Sequence, residues 1–257
     1  MQDEWLMNIF LAGSEHFCLH KYVQENDVNP INHLFSYFYV QQKKMFDEYL
    51  KFKAKSERIL IDSGAHTFHT SQDIDFKDFT VSYADFIRKT DTANVVGYFE
   101  MDIDNRIGFK NVLKLRRIIE EATDKVIPVW HKNRGFKNFE KLCRNYNYVS
   151  ISCLPIEGIP DKDLHKFVKV AHDNCCLIHG LGGTRKYILD HVAFDSVDSA
   201  SWLFAAVNGR YYNKHIDRKS LTYCEKLILL WFDWRKKQRY YEKYWKIKRG
   251  GQVYGKV

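Results

Sequence analysis

The chain has 257 residues, 45% hydrophobic and 16% aromatic, which is enough apolar material for a full-sized core in one α/β barrel or two small domains. Its formal charge of +8 carries no information on the fold but favours a polyanionic partner, nucleic acid foremost. The absence of a signal-like leader and of any run near the ~20 apolar residues of a membrane span predicts a soluble cytoplasmic protein, and six cysteines without C-x-x-C spacing are expected as free thiols.

In chain order, apolar runs predict strands at 8–12, 58–62, 95–102, 125–131, 148–153, 175–179 and 192–197. Amphipathic helices are predicted between them. Residues 76–89 place Phe79, Tyr83, Phe86 and Ile87 on one face, 109–121 do so with Val112, Leu115, Ile118 and Ile119, and 136–146 follow the same spacing. Strands alternating with helices mean βαβ units and a parallel sheet. Seven strands are one short of a (β/α)₈ TIM-like barrel, so the fold is expected to be such a barrel, incomplete or irregular, with an eighth strand near 209–213 or missing. No G-x-G-x-x-G follows the first strand to mark a dinucleotide site. Residues 1–231 form the predicted barrel and 232–257 a basic, aromatic helical extension. In that extension Arg235, Lys236, Lys237 and Arg239 could track phosphates while neighbouring rings stack on bases; the plainer reading packs the rings on the barrel.

Three strand-like runs end at an acid: Asp62, Asp102 (with Asp104 close behind) and Asp195. Parallel strands with helices between them gather their C-terminal ends on one face, where such folds build active sites. The loops there hold Asp62-Ser63-Gly64-Ala65-His66, Asp102, Asp104, His131, Ser152-Cys153, the turn from His179 through Gly180 and Gly182 to Thr184, and Asp195 with Asp198. Breaking a glycosidic bond passes through an oxocarbenium-like state. One carboxylate beneath the sugar stabilises it while a second, with raised pKa, moves the proton of the leaving group. Each residue also has a structural reading: Asp198 as the cap of the next helix, the glycine turn as a tight loop, His131 and His179 as satisfied strand-end histidines.

The order Asp62-Ser63-Gly64, Asp102, Gly180-Leu181-Gly182 and Phe194-Asp195-Ser196-Val197, over roughly residues 58–202, resembles the tRNA-guanine transglycosylase superfamily, closest in character to its DNA-acting branch that lacks the zinc site. The resemblance implies that Asp195 attacks C1′ of a nucleotide, that Asp62 is the general acid/base, and that Asp102 binds the edge of an extruded base. It places Asp104, Ser63, Gly64, His66, His131, Ser152, Cys153, His179, Gly180, Gly182 and Asp198 around the substrate. It implies DNA as the polymer, a free 7-deazaguanine as an incoming base, and neither metal nor cofactor. Three departures stand out: Cys224 is the lone cysteine after Trp202, Ser152-Cys153 and His131 replace the family's Gly-Gly and Gln, and Ala65-His66 replaces its Gly-Phe. These fall where a base would be read. Base exchange and hydrolytic excision of a modified base, for example in defence against viruses, therefore both remain, beside a non-catalytic nucleic-acid-binding barrel and an enzyme of small sugar phosphates.

Overall fold

A computed structural model describes residues 7–65, 67, 74–208 and 220–253. Its sheet is wholly parallel, in the order β5-β4-β3-β2-β1-β9-β8-β7-β6. The strands are β1 (Asn8–Ala12), β2 (Asn32–Ser36), β3 (Arg58–Asp62), β4 (Val95–Phe99), β5 (Val126–Ile127), β6 (Val129–Trp130), β7 (Tyr148–Ser152), β8 (Leu177–Leu181) and β9 (Ser196–Ser199). The two edge strands, β5 and β6, are separated only by Pro128, which has no N–H for the ladder. The Pro128 carbonyl still accepts the Ser150 N–H at 2.8 Å, and Glu100 Oε1 takes the Val129 N–H at 2.7 Å. One broken stave thus joins β4 to β7 and turns the sheet into an irregular (β/α)₈-type barrel.

The stave that sequence patterning missed is β2. Its run Asn-His-Leu-Phe-Ser has little apolar content, yet His33 is fully buried because Ser14 Oγ meets its Nδ1 at 2.6 Å and the Trp231 indole donates to its Nε2 at 3.2 Å. Burial keeps that imidazole neutral, with a pKa well below the usual histidine range. The expected location of an eighth strand, 209–213, lies outside the described residues.

Strand alternation separates two packed layers. Phe10, Leu34, Leu60, Phe99, Ile127 and Val129 fill the barrel interior, while Ile9, Leu11, Phe35, Ile59, Ile61, Val149, Ile151, Ile178 and Val197 pack outward on the helices. The helices preceding the last stretch of chain include α1 (Phe17–Glu25), α2 (Tyr37–Val40), α3 (Lys43–Lys55), α4 (Phe76–Thr90), α5 (Asp104–Ile107), α6 (Phe109–Glu120), α7 (Phe136–Asn145), α8 (Leu164–Asp173), α9 (Lys186–His191) and α10 (Ser201–Val207). The long helices predicted at 76–89, 109–121 and 136–146 appear as α4, α6 and α7 within a residue of those bounds.

Helix α11 (Tyr223–Val253) is no appendage, and the 231/232 boundary falls inside it. Its Leu227, Trp231, Trp234, Tyr241 and Trp245 are buried. The Gln238 amide donates to the carbonyls of Ile9 and Asn32 at 2.8 Å each, and the Trp245 indole to the Leu189 carbonyl at 2.8 Å. The helix therefore supplies a wall of the barrel and passes to its N-terminal end. Its Trp234, Tyr241 and Trp245 rings are spent on packing, as the plainer reading has it, and of the segment's rings Tyr240 stays largely exposed. Arg235 lies 4.7 Å over Trp231 and donates to the Asn29 carbonyl at 2.5 Å; Arg239 pairs with Glu57 and Glu242, Lys237 lies 4.2 Å from the Trp234 ring, and Lys236 sits 3.6 Å from Asp233. A disulfide joins Cys18 in α1 to Cys224 in α11, 206 residues apart. Two of the six cysteines are thus paired, against the expectation of free thiols, because the fold closes its first and last helices together. Among the described residues, no helix is long and apolar enough to cross a membrane.

Candidate active site at the barrel mouth

Asp62 is the last residue of β3 and shares the interior parity of Leu60, so its carboxyl rises from inside the barrel at the mouth. Its turn demands glycine. Gly64 has φ +74°, and a Cβ there would stand 2.4 Å from Ser36 Oγ and 2.5 Å from Phe38 Cβ. The Gly64 N–H donates to Asp62 Oδ2 at 3.0 Å, while buried Ser63 donates to the Glu100 carbonyl at 3.1 Å. Burial pushes the Asp62 pKa up to about 7 against the hydrogen bond from Gly64, and the negative charges of Asp102 and Asp198 add to the rise.

Asp198 lies on β9, with Val197 packed outward and Ser196 inward. Its Oδ1 accepts the Gly182 N–H at 2.7 Å and lies 3.2 Å from His179 Nε2. A carboxylate only accepts, so the His179 ring donates through Nε2, while its Nδ1 meets the Ser196 hydroxyl, whose oxygen also meets the Tyr148 hydroxyl. This Tyr148–Ser196–His179 chain fixes Asp198 from within the barrel. Tyr148 and Ser196 were not anticipated, and their only signal was their alternation with outward Val149 and Val197. The turn after β8 consequently has a definite job: Gly182, at φ +65°, spends its N–H on Asp198, and Gly180 leaves no room for a side chain between the Cys153 sulfur and the Phe194 ring, at 3.0 and 3.1 Å from a hypothetical Cβ.

Asp195 is elsewhere. The sequence predicts a strand over 192–197 that includes this acid, but β9 begins after it, because Val192 still closes the last turn of α9 through its N–H to the Ile188 carbonyl. The Asp195 carbonyl accepts the N–H of Asn8, the first residue of β1, at 2.9 Å, and its carboxylate accepts the N–H of Ile178 near the start of β8 at 2.8 Å. His172 at 3.0 Å and Arg249 at 3.3 Å complete a saturated anion at the N-terminal end of the barrel. A five-residue strand spans ~13 Å, so Asp195 and Asp62 stand at opposite ends and cannot share a substrate atom. The nucleophile assignment to Asp195 is thereby overturned.

Beyond β4, Asp102 and Asp104 meet His131, the residue after β6. His131 Nε2 is 2.6 Å from Asp102 Oδ1 and 4.0 Å from Asp104 Oδ1. Burial opposes the charge on His131, but the hydrogen bond and charge of Asp102 outweigh it and lift the pKa to about 9. Arg134 holds Asp104 at 2.9 Å and stacks 4.3 Å over Phe109. Among the described residues this is the one trio of side chains, with atoms within 4.8 Å of one another, able to hold a metal ion. At neutral pH its own imidazolium and guanidinium already balance the two carboxylates. Glu100, the residue after β4, is structural: it is fully buried with Arg116 at 2.7 Å.

No family model and no curated protein matches the chain.

Of the remaining expected residues, Ser152 ends β7 at the mouth with interior parity, and its hydroxyl accepts the Leu154 N–H at 3.3 Å. Cys153 is buried against the glycine turn, and burial pushes its thiol pKa well up, which makes it inert packing. His66 lies outside the described residues. One mouth acid escaped sequence reading altogether. Glu15, three residues past β1, accepts the Ser36 N–H, and its pKa is pushed up to about 7 by burial, with the Asp62 charge adding.

Proposed function

We propose that the protein breaks an N-glycosidic bond of a nucleic acid, with Asp198 as nucleophile at C1′ and Asp62 as general acid/base. The observation that carries this reading is the pair of inward acids in unlike settings: Asp198 accepts hydrogen bonds from the Gly182 N–H and His179 Nε2, while burial raises the Asp62 pKa to about 7. Two carboxyl groups with diverging environments are what a two-step displacement needs. Asp198 Oδ forms a bond to C1′ as the C1′–N bond breaks, and the departing base nitrogen takes its proton from the Asp62 carboxyl. In the second step the Asp62 carboxylate accepts a proton from the attacking water or incoming base, which displaces Asp198. His179 acts as a positioning residue for Asp198. Asp102 and His131, beside that pair, supply an acceptor and a donor for the edge of a flipped base.

The charge pattern around the mouth supports a polyanionic substrate. Each helix that follows a strand points its N-terminus at the mouth, where the macrodipole favours acids. Yet α3 opens on Lys43 and Lys44, α6 and α7 carry Lys110 and Lys137 at their second positions, α9 opens on Lys186, and none of these first turns contains an acid. Lysines kept against the dipole make sense if phosphates approach there.

The test is incubation with normal DNA, hypermodified viral DNA and tRNA, with and without free 7-deazaguanines, followed by mass spectrometry of released bases and abasic sites. Release with incorporation identifies a transglycosylase, and release alone a glycosylase. No release from any polymer rejects the catalytic reading.

A further inference from the structure

The corner of chain after β7 presents apolar side chains to water beside the candidate site. Leu154, Pro155 and Ile156 are consecutive and all exposed, Leu154 to 47% and Ile156 to 89%. The same loop does turn an aliphatic side chain inward, since Ile159 packs against the core. An isoleucine held in water forfeits the gain that burial brings, so a rim that keeps a run of apolar residues there holds it for contact with another surface.

The corner is also braced. Pro155 opens a 3₁₀ turn (Pro155–Glu157) that Gly158 closes at φ +61°, and Pro160 follows. Lys132, beyond β6, donates to the Gly158 carbonyl at 2.8 Å, while Arg185, just before α9, donates to the Cys153 carbonyl at 2.7 Å and to Asp161 at 3.0 Å. Leu154 touches the candidate site through Gly182. A Cβ on that glycine would stand 2.8 Å from Leu154 Cδ2, and the Gly182 N–H is a donor to Asp198. Ile156 lies two residues farther on, no more than ~7 Å of chain away. Lys132, Lys137 and Lys162 are exposed on this arc of the rim, whereas Asp161 is paired with Arg185 and Asp163 with Lys166 at 2.7 Å.

We propose that Leu154 and Ile156 form a wedge for double-stranded DNA: Ile156 enters the base stack where a nucleotide swings out to Asp198, and Leu154 lines the path between them. The proposal rests on the reading of the mouth as a site for a flipped nucleotide. A nucleotide leaving a duplex exposes the faces of its two neighbours to water, and an aliphatic side chain that fills the gap recovers the lost contact. A wedge already held in place does this at the least entropic cost, which is what the braces around the corner provide. The flanking lysines meet the phosphates on either side of the gap.

Affinity measurements on the full chain test this without knowledge of the target base. The probes are a short intact duplex, the same duplex with a tetrahydrofuran residue in place of one nucleotide, and the gapped strand alone. The wild type should prefer the gapped duplex to the intact one by about tenfold. Ile156→Ala should abolish that preference while holding affinity for the intact duplex and the single strand within about twofold, and Ile156→Leu should retain it. Because Ile156 stands in solvent in the free protein, neither variant should lower Tm. A wild type indifferent to the gap, or an Ile156→Ala protein that still prefers it, overturns the proposal. If the preference and its loss are found but no polymer loses a base, the wedge stands and the glycosidic reading fails; base release without any gap preference removes the wedge and keeps that reading.

Discussion

Asp195 and Asp198 are three residues apart in sequence and occupy opposite ends of the same barrel. At the N-terminal end Asp195 is neutralised by the Ile178 N–H, His172 and Arg249, and the last of these is carried there by α11. At the mouth, the charges of Asp102 and Asp198 add to the burial that raises the Asp62 pKa, and burial likewise lifts Glu15, each to about 7. The first arrangement spends an acid on holding the chain together. The second keeps acids at a cost in stability, which is what reactive sites do.

The comparison can be broken most directly at those two aspartates. Asp198→Asn should reduce base release by about 10³-fold or more while leaving the fold intact, since the amide still accepts from Gly182. Asp195→Asn should leave base release within a few-fold. Equal losses of activity in both variants would falsify the division between the ends. Asp62→Asn should slow base release by about 10²–10⁴-fold, as expected for a lost general acid. It should also change the pH dependence of stability. A carboxyl with a raised folded pKa contributes stability below its unfolded value that is lost as pH rises through about 7, so the wild type should weaken from pH 4 to 8, and Asp62→Asn should flatten that slope and raise Tm at pH 8. A slope identical in the two proteins would show that Asp62 is ionised throughout.

Stability should respond in the reverse order. Asp195→Ala leaves Arg249 without its carboxylate and the Ile178 N–H without an acceptor, at a cost of about 3 kcal/mol measured by denaturant unfolding. For nucleic acid, Lys110→Glu combined with Lys137→Glu should weaken DNA affinity by about tenfold at low salt and reduce the salt slope, whereas Lys236→Glu should leave both unchanged. The opposite ranking would return the binding surface to α11. The smallest effect is Gln238→Ala, which strips a donor from two carbonyls and should cost about 1–2 kcal/mol without touching affinity.

Much of the architecture is legible in the chain. Apolar runs bounded by amphipathic segments specify parallel βα units, because buried two-sided strands and one-sided helices carry different periods, and the acid at 62 is placed at a strand end by Ile-Leu-Ile before it. Period alone fails where polar residues are buried through partners distant in sequence: β2 is held by Trp231, Tyr148 and Ser196 by His179, and Glu15 by Ser36. It also fails at the last strand, where a shift of a few residues in its start exchanges which acid faces the mouth. Local sequence therefore determined which elements form and which acids are available. Tertiary register and the long closing helix decided which of those acids are neutralised and which are left to react, since both depend on neighbours brought together from across the chain.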